Sequence, residues 1–144
     1  MIVDTHAHLT DESFADIQHF IELAHQAGVM EMLTVATTLE DSRKCLKLAE
    51  SFDSIRCAIG IHPNNCCQAQ PGDWAEIEKL VSNEQVSALG ETGLDKYWDD
   101  CPWETQCDYF RRHLALSRET NLPVVIHTRE CAEETLEILR EESQ

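Results

Sequence analysis

The chain has 144 residues, the length of one ordinary domain. Its 27 acidic residues against 11 Lys and Arg leave a net charge of −16. Such a surface excludes broad electrostatic binding to nucleic acid, though not a nucleic-acid substrate held locally where metal ions invert the charge. No apolar run approaches the ~20 residues of a membrane span. The first residues carry Asp4 and lack the basic and apolar regions of a signal peptide. A cytoplasmic protein with no membrane partner is expected.

The chain opens on Met1-Ile2-Val3-Asp4-Thr5-His6-Ala7-His8, a short apolar strand that runs into two histidines. Strand side chains alternate, so His6 and His8 share a face. Two neutral imidazoles side by side suit one divalent metal ion; the plain alternative is two polar residues at a strand end. Asp11 and Ser13 then offer caps to a helix carrying Phe14, Ile17, Ile21 and Ala24 at helical spacing, closed by Gly28. Val29–Ala36 reads as a second strand. Cys45, Leu48, Ala49 and Phe52 mark a helix opened near Thr38 or Asp41, and Ile55–Ile61 a third strand. Trp74, Ile77 and Val81 give a third helix, Val86–Gly90 a fourth strand. Phe110, Leu114 and Ser117 share one face of a longer helix from about Trp103 to Thr120. Pro123 opens the fifth strand, where proline is tolerated. Ala132, Leu136 and Leu139 form the last helix.

Five strand–helix alternations argue for one α/β domain, 1–144, with a parallel sheet. The polar clusters all fall at C-terminal strand ends: His6 and His8; Gly60-Ile61-His62-Pro63; Gly90-Glu91-Thr92-Gly93-Leu94-Asp95; and His127-Thr128-Arg129. Parallel α/β folds build their active sites on that rim. The seven cysteines are odd in number and form no CxxC pair, so reduced thiols are expected, with adjacent Cys66 and Cys67 the pair weighed for redox activity.

Those clusters, together with Gln106, Phe110 and His113, occur in an order and spacing that resembles the TatD family of metal-dependent deoxyribonucleases. The resemblance covers the whole chain. It implies a (β/α)8 TIM barrel with two divalent metal cations (Mg, Mn or Zn), of which this chain supplies about five βα units. A closed barrel takes about 250 residues. By the same resemblance His6, His8 and Glu91 bind one metal, Glu91 and His127 the other, and Glu91 is the catalytic carboxylate. A further His after strand six and an Asp after strand eight complete the family's ligands. His62 is expected near substrate or in packing. Arg129 is expected on a phosphate or paired with Glu130 or Glu133, and Asp95 and Tyr97 in a loop lining the site. Trp98 and Trp103 stack bases or cover the core; Gln106 and His113 are scaffold. The implied partners are DNA or another phosphodiester, and a complementing chain or a second copy. The alternatives are an inactive partial barrel with residual metal binding, or a related hydrolase of C–N or ester bonds.

Overall fold

A computed structural model describes residues 2–143. Five parallel strands pair in sequence order, β1 (Ile2–Ala7), β2 (Val29–Val35), β3 (Ile55–Ile59), β4 (Val86–Asp95) and β5 (Val124–Arg129). Between and after them lie α1 (Ile17–Gln26), α2 (Leu39–Ser51), α3 (Asp73–Leu80), α4 (Trp103–Thr120) and α5 (Ala132–Glu142). The sheet curls into half of a TIM barrel.

The two faces of the sheet are unlike. Ile55, Cys57 and Ile59 of β3, with Leu89 of β4, pack under Cys45, Ala49 and Ile77 of the helices in one buried cluster. The alternate positions Val35, Ala58 and Ala88 form a smaller cluster with Leu33 and Val125 on the opposite face. These side chains are small where the sheet curls inward. Phe110, Leu114 and Ile138 anchor α4 and α5 over the end of the sheet around Leu94.

Several boundaries differ from the sequence reading; the third strand, for one, stops at Ile59 instead of Ile61. The first predicted helix is two pieces: a 3-10 turn at Glu12–Phe14 capped by Asp11, then α1 capped by Asp16, which accepts the amide of His19. A second capping aspartate restarted the helix, a competition that apolar spacing does not register. A 3-10 turn, Pro63–Gln68, follows His62 and was not anticipated. The fourth strand is the largest correction, since it runs on to Asp95 instead of stopping at Gly90. Glu91 and Asp95 therefore stand on a strand, as does Arg129 on β5, and not in the loops beyond. The glycines that read as a stop permit close strand approach. At Gly93 (φ 134°) an added Cβ would lie 2.0 Å from the carbonyl oxygen of His127 on β5, so only glycine fits.

Candidate metal centre

Five strands deliver their C-terminal ends to one rim. His6 is the last residue but one of β1, with His8 just beyond the strand; Glu91 and Asp95 belong to β4 and His127 to β5. His62 follows β3. Glu91 is 7% exposed, and its amide donates to the carbonyl of Ala36 at 2.7 Å, which ties it to the end of β2.

The two carboxylate oxygens of Glu91 face different histidines. Oε2 lies 3.4 Å from His6 Nε2 and 3.6 Å from His8 Nε2, and those two nitrogens are 3.3 Å apart. Oε1 lies 3.2 Å from His127 Nδ1. His8 donates its Nδ1 proton to the carbonyl of Val35 at 2.8 Å, which leaves Nε2 with a free lone pair. Three donor atoms thus meet in a near-equilateral triangle. The point equidistant from all three is about 2.0 Å from each, the usual first-row metal–nitrogen and metal–oxygen distance. The donor set fits a divalent cation.

The second group is His62, Glu91 and His127. His127 Nε2 lies 2.8 Å from Asp95 Oδ2. That carboxylate also accepts from the amides of Tyr97 and Trp98 and from Asn64 Nδ2. With Asp95 only 1% exposed, its oxygens are spent on orienting neighbours. A carboxylate held this way behind an imidazole is the arrangement that fixes the tautomer of a ligating histidine. Nδ1 of His127, beside Glu91, is then the nitrogen available to a metal.

His62 is different in kind. Its Nδ1 accepts the amide of Asn64 at 3.2 Å, capping the 3-10 turn. The neutral ring therefore carries its proton on Nε2 and is a donor rather than a ligand. Burial, with the adjacent His127 charge, pushes its pKa down to about 4, and its ring stands edge-on to His127 with centroids 4.4 Å apart.

Charge in the group is balanced internally. For Glu91, burial works to raise the carboxyl, but the His127 hydrogen bond and the charges of His62 and His6 outweigh it and hold the pKa below the usual range. Burial also opposes ionisation of Asp95; bonds from Trp98, His127, Asn64 and Tyr97 prevail and lower it. His127 is raised, first by its bond to Glu91 and then by Asp95.

Tyr97 and Trp98 are half exposed, at 50% and 49%. The Arg129 guanidinium stacks 3.7 Å from the Tyr97 ring centroid and 5.7 Å from that of Trp98, so it meets these rings rather than Glu130 or Glu133. Trp103 belongs to the core and carries Lys96 over its ring. Gln106 and His113 are buried scaffold. Gln106 accepts the amide of Asp95 and donates to the carbonyls of Asp95 and Cys101. His113 Nε2 accepts the amide of Ile61, and Nδ1 donates to the carbonyl of Tyr109.

A carboxylate flanked by histidines on the C-terminal rim of a half-barrel is the architecture of a metal-dependent hydrolase. The family model described as TatD related DNase matches residues 3–144, and the chain belongs to that family. Uncharacterized metal-dependent hydrolase YabD of Bacillus subtilis is 38% identical over 99% of this chain and 56% of its own length. YcfH of Escherichia coli, named in the same words, is 37% identical over 98% of this chain and 54% of its own. The crystal structure of YjjV, a TatD homologue of Escherichia coli, superposes with a TM-score of 0.93 at 28% identity, covering 98% of this chain and 56% of that one. The chain spans about half the length of these relatives.

Proposed function

We propose that this chain carries the two-metal portion of a phosphodiesterase acting on DNA. The observation behind that reading is the division of Glu91, one oxygen toward His6 and His8, the other toward His127. His6, His8 and Glu91 would hold one cation, Glu91 and His127 the other. Two divalent cations, when bound, supply an activated water and neutralise charge on the phosphoryl oxygens.

The remaining roles belong to the chain's own side chains. Asp95 holds the proton on His127 Nε2 and so keeps Nδ1 aimed at Glu91. His62 offers its Nε2–H to a substrate oxygen. Arg129 can present the edge of its guanidinium to a phosphate while its face stays on Tyr97, and Tyr97 and Trp98 offer rings on which bases stack.

Because the chain spans about half of its relatives, turnover is proposed for the completed barrel. The test is cleavage of a DNA oligomer with magnesium or manganese by this chain together with a segment carrying strands six to eight, alongside amide and lactone substrates. Metal-dependent DNA cleavage abolished by Glu91→Ala supports the reading. Turnover of amides or lactones without DNA cleavage would replace it with C–N or ester hydrolysis.

A further inference from the structure

Two thiols meet at the side of the rim, between segments 34 residues apart. Cys67, exposed at the end of the Pro63–Gln68 turn, has its Sγ 2.7 Å from that of buried Cys101. That separation is shorter than an ordinary thiol–thiol contact and not far from the ~2.05 Å of a bond, so little movement would join the pair. Both ends are connected to the metal centre. The Cys67 turn is capped by His62 and carries Asn64, whose side-chain amide donates to Asp95. Cys101 closes the loop that bears Tyr97 and Trp98, and its carbonyl accepts from Gln106, which also holds the main chain of Asp95.

We propose that Cys67 and Cys101 form a reversible disulfide that fastens the Tyr97–Trp98 loop to the His62 turn. Exposed Cys67 is the entry thiol. As a thiolate it attacks a small disulfide such as oxidised glutathione, forming a mixed disulfide and releasing one glutathione thiol. Cys101 then attacks the Cys67 sulfur and expels the second glutathione, which takes up the proton that Cys101 loses. Two electrons pass from the cysteine pair to one molecule of oxidised glutathione, giving two of reduced. Burial and the neighbouring Cys67 push the Cys101 thiol up to about 12, so Cys101 serves as the resolving thiol and not as the first attacker. Vicinal Cys66 is not placed for this. It is buried and its Sγ points at the carbonyl of His62, 3.4 Å away.

The inference is independent of the nuclease reading. The chain is equilibrated, dilute and metal-free, with oxidised and reduced glutathione in varied ratio, then denatured and its thiols counted. Of the seven cysteines, two disappear together, and peptide mapping joins the Cys67 peptide to the Cys101 peptide. Cys67→Ser, at an exposed position, removes the pairing without disturbing the core. Chymotrypsin supplies a second readout, since Tyr97 and Trp98 are among its exposed targets. Cleavage there slows roughly threefold or more on oxidation of the wild type, as a tethered loop opens less often, and is unchanged in Cys67→Ser. A glutathione adduct persisting on Cys67, a Cys66–Cys67 bridge, disulfide-linked dimers only, or equal cleavage in both redox states would each overturn the proposal.

Discussion

Nε2 of His6 and Nε2 of His8 lie 3.3 Å apart with an oxygen of Glu91 closing the triangle. Two nitrogen lone pairs and an anionic oxygen repel one another unless a proton or a metal ion sits among them. Calorimetry with manganese or zinc is expected to show binding that His6→Ala weakens by tenfold or more, roughly the loss of one ligand. Glu91→Ala is expected to do greater damage, because it serves both groups. Acidification will weaken binding in every variant, since histidine ligands must be neutral. Binding unchanged in both mutants would remove the metal assignment.

Asp95 and His62 separate positioning from ligation. Asp95→Asn is expected to lower metal affinity by roughly 10–100-fold, the usual cost of losing the group behind a ligating histidine. His62→Ala will leave affinity within about twofold while lowering cleavage by the completed barrel, because its free hydrogen is a donor. A large loss of metal affinity in His62→Ala would make it a ligand instead.

His113 gives the fold a pH dependence. Burial pushes its pKa down to about 4 from 6.5, so the unfolded chain binds the extra proton over that interval. Stability is fully present above about pH 6.5 and falls as pH drops toward 4, by on the order of 3 kcal/mol. Denaturant titrations of the metal-free chain across that window will show the loss, and His113→Gln will make it shallower, leaving the share that His62, also pushed down to about 4, contributes. An equal slope in the variant would refute the linkage.

Gly93→Ala is expected to be poorly tolerated, at several kcal/mol, because both the positive φ and the 2.0 Å approach to the His127 carbonyl forbid a Cβ. Metal affinity should fall with stability, as β5 must shift. A variant of native thermal stability would show that the strands can part freely.

The outer strands make the last prediction. Among the described residues β1 pairs only with β2 and β5 only with β4, and Ile2 and Val3 of β1 are exposed. The chain on its own is expected to self-associate through these edges. Sedimentation will show it, Val3→Lys will reduce it, and co-expression with strands six to eight will suppress it while restoring cleavage. A clean monomer in isolation would contradict this.

Much of the rim was legible because strand alternation and strand-end placement are local facts. Two residues in a strand place His6 and His8 on one face whatever surrounds them. The roles of Asp95 and His62 were not legible, since a tautomer is set by whichever group reaches the other ring nitrogen, here across 32 residues in the case of Asp95. The extent of β4 was hidden because glycine usually punctuates a strand, whereas Gly93 sits where another backbone comes too close for a side chain. The Cys67–Cys101 approach was equally invisible, as no spacing links two loops 34 residues apart.

His6 and Glu91 touch across 85 positions of chain, a contact that exists only once the strands between them have been laid side by side. Local helices can form early, but this pairing waits for the slow, non-local steps of folding. A cation that needs both residues therefore recognises only the assembled sheet. It acts as a ligand of the native state alone, adding about 2.7 kcal/mol at a concentration a hundred times its dissociation constant. The ion would serve as a rivet between the first strand and the fourth, tying the stability of the fold to the metal content of its surroundings.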